Sequence, residues 1–241
     1  FWLPGEFGSL AALPGEPGWS FATIYFHESV KGGGSKSFEL GGHVVAGVRG
    51  QADLWLAGPT YTFAQPLLGA QASLSLLEAG GTSVVDINAT LTGPHGGTIS
   101  GVASDSRTSF GDLFPQATLK WNEGVNNFMV YGTGHIPVGP YDPNRLSNVG
   151  LGHGAIDGGG GYTYFDQKTG REFSIVAGFT GNFENTSTNY QNGIDFHVDW
   201  GVSQFLTPQI HAGLVGYFFQ QITGDSGSGA TLGGFEGRVV G

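Results

Sequence analysis

The chain has 241 residues, a formal net charge of −10, 45 glycines and no cysteine. This length suits one large β-domain or two small ones. Nine lysines and arginines cannot form the basic face of a nucleic-acid binder or a polybasic lipid-binding patch, so both classes are excluded. The absence of cysteine excludes disulfide frameworks and thiolate metal sites. No apolar run reaches the roughly 18 residues of a transmembrane helix.

The elements predicted along the chain are an N-terminal arm followed by strands. Residues 1–17 are rich in proline and glycine with scattered large apolar residues, a pattern typical of irregular structure. Alternation and turn signals then predict ten strands and no helix of ordinary length. The predicted strands cover 19–30, 51–63, 67–92, 112–122, 127–138, 154–165, 171–183, 190–205 and 208–222, and a tenth begins near 234.

Residues 67–92 allow two interpretations. Leu74 and Leu76 share one face of the predicted strand, whereas Val85 and Ile87 share the other. One extra residue in a β-bulge near Gly80-Gly81 would switch the faces, because side chains alternate with a period of two. A hairpin at the same glycines is the alternative. It would disturb the order of the loops, so we favour one long bulged strand.

The predicted connections alternate between long and short. Long ones lie near 31–50, 93–110, 139–153, 184–192 and 223–234, and short ones near 64–67, 122–127, 166–171 and 205–208. Barrels of the bacterial outer membrane have short periplasmic turns and longer outer loops. The sequence therefore predicts an all-β, transmembrane, antiparallel up-and-down β-barrel in the outer membrane, with the barrel formed by residues 18–241.

The clearest alternation runs from 194 to 202. Ile194, Phe196, Val198 and Trp200 point one way, whereas Asp195, His197 and Asp199 point the other. In a membrane barrel the apolar set faces lipid and the polar set faces the interior. In a soluble sandwich the apolar set would face the core instead. The strand alone does not separate these cases, but ten strands with sorted loops favour the barrel.

Several segments resemble one family of outer-membrane channels. They are HIPVGPYDPNRLSNVG at 135–150, ENTSTNYQNG at 184–193, DFHVD at 195–199, VGYFFQQITGDSG at 215–227, and the two Leu-Pro-Gly triplets at 3–5 and 13–15. Their order and spacing resemble the family named for the meta-pathway of phenol degradation. The resemblance implies a monomeric twelve-stranded barrel, an arm folded into the lumen, and uptake of hydrophobic small molecules such as aromatic compounds. Against that pattern, the chain has about two strands fewer than expected.

Asp195, His197 and Asp199 form the polar cluster best suited to chemistry. Two interpretations of this cluster are possible. A histidine between carboxylates could act as the base of an outer-membrane lipid hydrolase. However, residues i and i+2 of a strand are about 6.6–6.8 Å apart, and no serine is identifiable as the nucleophile. The alternative, which we favour, is a polar stripe that faces the lumen and pairs with neighbouring strands.

The histidines lack zinc-site spacing, so no metal and no cofactor is predicted. Asp142 and Asp225 offer oxygens to calcium but lack the spacing of a calcium loop, and turn chemistry explains them better. A structural role is expected for the polar loop residues Asp142, Arg145, Asn148, Asn185, Tyr190 and Asp225. The run Gly158–Gly161 is expected to mark close backbone approach within a strand.

The arm carries apolar side chains with no strand to hold them. We expect it to narrow the lumen and to line it for a hydrophobic solute, together with the polar stripe. The predicted lumen residues are Phe1, Trp2, Leu3, Phe7, Leu10, Leu13, Asp195, His197 and Asp199. A terminus that is frayed or packed on the outer surface is the alternative.

The predicted function is passive uptake of small hydrophobic or aromatic molecules, without catalysis. The expected partners are such a solute and outer-membrane lipid, with no nucleic acid. A general porin for polar solutes, a lipid hydrolase that uses His197, and a secreted β-sandwich that binds a ligand are the alternatives.

Overall fold

A computed structural model describes residues 2–37, 43–230 and 236–241. Phe1, residues 38–42 and residues 231–235 lie outside the described residues, so the role of Phe1 stays a prediction. The described chain forms one antiparallel sheet of ten strands that pair in sequence order. The strands are β1 Gly18–Ser37, β2 His43–Thr62, β3 Gln71–Thr92, β4 Thr98–Glu123, β5 Asn126–His135, β6 Ala155–Asp166, β7 Arg171–Asn182, β8 Asp195–Phe205, β9 His211–Gln221 and β10 Arg238–Val240.

The predicted all-β class and the count of ten strands are confirmed. Within the described part of the chain, β1 and β10 form the two edges of the sheet, and the expectation of twelve strands stays a prediction. None of the described residues belongs to a helix that is long and apolar enough to cross a membrane.

The connections alternate in length from β4 onwards, as predicted. The short ones are 124–125, 167–170 and 206–210, and the long ones are 136–154, 183–194 and 222–237. The predictions of long loops at 31–50 and 93–110 are wrong, because β1, β2 and β4 extend through most of these residues. Their glycines and small polar residues are typical of turns, but full-length antiparallel pairing gives the backbone its partners here.

The first four strands are much longer than the strands from β5 to β9. They contain 20 to 26 residues, against 10 to 12 in β5–β9. A tilted transmembrane strand needs only about 9–11 residues. The surplus of roughly ten residues, at about 3.3 Å each, carries the ends of β1–β4 on the order of 30 Å beyond the sheet formed by β5–β9.

The long strand β3 is confirmed, and the alternative hairpin at Gly80-Gly81 is excluded. The predicted bulge is present, but the extra residue lies in β4. Glu78 pairs with Leu113 and Gly80 with Phe110, so Gly111 and Asp112 lie opposite the single residue Ala79. The register of β3 against β2 is the same on both sides of this point. The faces of β3 therefore do not switch.

What changes along β3 is the polarity of its outer side. Leu74 and Leu76 point outward, whereas Val85 and Ile87 share the inward face with Leu77, as the unbroken pairing with β2 requires. Asp86 and Asn88 point outward in the projecting part. The outer face is thus apolar around Leu74 and polar around Asp86, which suits lipid outside the first part and water outside the second.

Side-chain burial alternates along β5, β7 and β8. Asp195, His197 and Asp199 are buried, whereas Ile194 is 43% exposed and Trp200 is 37% exposed. β7 behaves alike, with Glu172 buried and Phe173 exposed. We call the buried side of the sheet the inner face. Polar groups on the buried face and apolar groups on the exposed face are the reverse of a soluble sandwich.

Arginine on the outer face should therefore cost stability only at membrane depth. Val130 points outward in the middle of β5 and Val102 points outward in the projecting part of β4. Val130→Arg should lower the free energy of unfolding in lipid vesicles by about 2–4 kcal/mol. Val102→Arg, the matched control, should change it by less than about 1 kcal/mol. Equal losses in denaturant titrations would contradict the assigned membrane depth.

Candidate functional site

Residues 2–17, the arm, form no strand and lie against the inner face. The backbone N–H groups of Gly5 and Phe7 donate to the two carboxylate oxygens of Asp199, at 2.9 and 3.3 Å. Asp199 is 1% exposed. A buried carboxylate and an unpaired backbone segment each need partners, and these two hydrogen bonds supply them to both.

Further hydrogen bonds fix the arm at three more points. The bonds join Leu10 N to Glu172 Oε1 at 3.1 Å, Ala12 N to Thr163 Oγ1 at 3.1 Å, and the Gln71 amide to Gly15 N and O at 2.6 and 2.7 Å. Backbone groups of the arm are therefore hydrogen-bonded to side chains of the sheet at intervals from Gly5 to Gly15. The predicted arm residues Leu3, Phe7, Leu10 and Leu13 are all partly buried.

Trp2 joins the arm to the polar stripe. Its indole stacks on the imidazole of His197 with ring centroids 4.8 Å apart, and it lies 6.0 Å from the ring of Phe219. Trp2 is 9% exposed. The fold thus brings together three of the residues predicted from the sequence, Trp2, His197 and Asp199. They meet because His197 and Asp199 lie on the face of β8 that contacts the start of the arm.

The polar stripe makes its hydrogen bonds to neighbouring strands. His197 Nε2 lies 2.7 Å from Asp157 Oδ2, and both side chains are buried. Asn182 Nδ2 donates to Asp195 Oδ2 at 3.0 Å. Among the described residues, no serine hydroxyl hydrogen-bonds to His197.

Inner-face glycines make room for the arm and for Tyr131. Tyr131 packs with Ala12, Met129 and Val176 in a buried cluster, and Phe7 lies against it with ring centroids 4.5 Å from Tyr131. A Cβ at Gly159 would lie 2.8 Å from a Tyr131 ring carbon, and one at Gly201 would lie 2.9 Å from Ser9 Oγ. The expected close approach at Gly158–Gly161 is therefore present at Gly159.

The long connection 136–154 is held to the inner face by a residue that sequence reasoning missed. Asp112, in the bulge of β4, lies 2.8 Å from His135 Nε2 and accepts hydrogen bonds from Gly139 N and Leu151 N, each at 2.8 Å. His135 and Asp112 are buried. Asp112 gave no sequence signal, because its partners lie 23 to 39 residues away along the chain.

The predicted loop residues make structural contacts. Arg145 Nη2 lies 2.6 Å from Asp105 Oδ1, and Arg107 donates to Asn148 Oδ1 at 2.8 Å. Asp142 accepts a hydrogen bond from Asn144 N at 2.9 Å, which is turn chemistry.

The last two long connections contact each other. The backbone of Asn185 pairs with that of Tyr190, and the Tyr190 hydroxyl donates to Asp225. This hydrogen bond, with burial and the charge of Asp225, raises the pKa of Tyr190 to about 12. No group of three His, Cys, Asp or Glu side chains suited to a metal occurs in the described ranges.

A cavity of about 100 Å³ lies between the arm and strands β1–β5. Residues 3–6 border it on one side, and Gln116 and Thr133 border it on the other together with apolar side chains. Crowding by protein atoms, and then the like charges of Asp157 and Asp199, raise the pKa of Glu6 to about 7. Glu6 is nevertheless an exposed residue, so this side of the cavity is open to solvent.

An antiparallel sheet with lipid-suited side chains outside, carboxylates inside and short turns at one end defines an outer-membrane β-barrel protein. Residues 33–241 match the model of the family described as "Putative MetA-pathway of phenol degradation", and the chain belongs to that family. The family, the barrel class and the outer-membrane location predicted from the sequence are confirmed.

A solved structure shares the fold. The crystal structure of the COG4313 outer membrane channel from Pseudomonas putida F1 matches with a TM-score of 0.61 and 13% sequence identity, over 95% of this chain and 80% of that chain. No curated protein matches this chain.

Removing the Asp199 carboxylate should release the arm. Asp199→Leu deletes both acceptors of Gly5 and Phe7, and a hydrogen bond to a charged group contributes about 1.5–3 kcal/mol. Limited proteolysis within residues 1–17 should therefore become at least tenfold faster. Asp195→Leu is the matched control, because Asp195 lies on the same face of β8 and bonds to Asn182. Equal cleavage rates in the two variants would refute the anchoring role of Asp199.

Proposed function

We propose that the chain is a passive outer-membrane channel for small hydrophobic or aromatic molecules, with the arm narrowing its lumen. The observation that carries the proposal is the cavity between the arm and β1–β5. It is bordered by the apolar side chains Leu3, Ile24, Phe26, Leu56, Leu77 and Phe114 and by few polar groups. Binding sites for small molecules have this composition.

The barrel family and the fold shared with a structure titled as an outer membrane channel support transport. In the proposed mechanism the solute enters past the projecting strands β1–β4 or from the bilayer, meets the arm and its cavity, and leaves toward the periplasm. No bond is made or broken and no energy source is coupled. The proposed partners are the solute and outer-membrane lipid, and the channel works as a monomer.

Deleting residues 1–15 should raise single-channel conductance in a planar bilayer several-fold, because residues 2–15 lie against the inner face and occupy space there. Val102→Arg, which alters only a projecting outward residue, is the control and should keep the original conductance. Unchanged conductance after the deletion would exclude the narrowing role of the arm.

A general porin for polar solutes is a second candidate, favoured by the carboxylates of Glu172, Asp195 and Asp199 on the inner face. Rings of inward charge are typical of polar pores. However, the carboxylates of Asp199 and Glu172 already accept hydrogen bonds from the backbone of the arm, so they are not free to line a water-filled pore. In liposome-swelling assays we expect slow entry of sugars, and fast entry would favour the porin.

A lipid hydrolase is a third candidate, because His197 and Asp157 have the hydrogen-bonded geometry of a base and its orienting carboxylate. Trp2 stacks over His197, which leaves little room for an ester. We expect no ester cleavage by the purified protein. Cleavage that is lost in His197→Gln would favour the hydrolase.

A further inference from the structure

The cavity beneath residues 3–6 is lined by two chemically different groups of side chains. The apolar group includes Leu77 of β3, Phe114 of β4 and Leu56 of β2. The polar group, which we call the polar end, consists of Glu6 of the arm and its hydrogen-bonded neighbours Gln116 of β4 and Thr133 of β5. A molecule that fills the cavity therefore meets both hydrocarbon and hydrogen-bonding groups.

The polar end has a spare acceptor. Gln116 Nε2 donates to Glu6 Oε1 at 3.0 Å and to Thr133 Oγ1 at 3.1 Å. Within the described part of the chain, no group donates to the second Glu6 oxygen, Oε2. A carboxylate has capacity for about four hydrogen bonds, so Glu6 can accept one from a bound molecule.

The charge around this end favours donors and disfavours anions. Asp157 and Asp199 act on Glu6 as like charges. No lysine or arginine borders the cavity among the described residues. A bound carboxylate would face the like charge of Glu6, which costs free energy at short range.

We propose that this cavity binds a ring-sized apolar molecule that carries one neutral O–H or N–H donor, with the donor on Glu6 and the ring beside Phe114 and Leu77, and that it rejects aromatic carboxylates. The cavity of about 100 Å³ is about two thirds of the roughly 150 Å³ apolar cavity that holds benzene in another protein, so a single ring is the largest apolar group in this proposal. This inference rests on the proposed function, because it names the solute class of the same channel.

The test compares three probes of similar shape in calorimetric titrations of the detergent-solubilised protein at pH 8. Benzyl alcohol carries the donor, ethylbenzene replaces the hydroxyl by a methyl group, and phenylacetate carries a charge. The pH is chosen because the pKa of Glu6 is raised to about 7. The measured quantity is the ratio of the Kd of ethylbenzene to that of benzyl alcohol, which cancels the shared ring contacts.

Glu6→Leu removes the acceptor, so this ratio should fall at least tenfold relative to the original protein. Glu6→Gln keeps size and one acceptor oxygen but removes the charge, so the ratio should fall less and phenylacetate should begin to bind. Glu16→Leu is the matched control, because Glu16 lies on the same arm and does not border the cavity. Its ratio should remain within twofold of the original.

A ratio that stays within twofold in Glu6→Leu, with an arm as resistant to protease as the original, would overturn the inference. If Glu6→Leu makes the arm more sensitive to protease, the Glu6→Gln variant is used instead. In that variant, an unchanged Kd ratio together with no binding of phenylacetate would also overturn the inference.

Solute entry into vesicles separates this inference from the proposed function. If ethylbenzene enters vesicles faster with the protein than without it, but the Kd ratio does not depend on Glu6, the proposed site is refuted and the proposed channel function is not. A Glu6-dependent ratio with no accelerated entry of either solute would support the site and refute transport.

Discussion

The hydrogen bonds from the arm backbone to Asp199 and Glu172 fix the interior of this protein. Two buried carboxylates that no lysine or arginine of the described residues pairs with need donors, and a segment outside the sheet needs acceptors for its N–H groups. Gly5, Phe7 and Leu10 meet both needs at once. The position of Trp2 over His197 and the cavity beneath residues 3–6 both follow from this seating of the arm.

The strands satisfy a second constraint, because the medium outside them changes with height. Leu74 and Leu76 of β3 suit hydrocarbon on the outer face, whereas Asp86 and Asn88 further along the same strand suit water on that face. The aliphatic side chains Val85 and Ile87 are thereby turned inward. One strand thus reverses its amphipathic direction without any slip against β2.

Sequence reasoning succeeded where a local period carried the information. The alternation around Asp195, His197 and Asp199 predicted their shared face, and the sorted connections after β4 predicted the barrel. It failed at 93–110, where the many glycines and serines predicted a loop. Most of these residues instead form a strand that is stabilised by long-range pairing with β3. Glu6 could not be found, because its neighbours Gln116 and Thr133 lie more than a hundred residues away. The role of Asp112 could not be predicted either, because its partners are distant in the sequence and it points inward only because β4 has a bulge there.

The bulge of β4 has a consequence for assembly of the sheet. The extra residue allows Asp112 to point inward, where it collects His135, Gly139 and Leu151. A one-residue slip of β4 against β3 would turn this carboxylate to the opposite side and leave three donors without their acceptor. The hydrogen bonds to the connection between β5 and β6 therefore favour the native alignment of β3 with β4, two strands to which that connection is not joined.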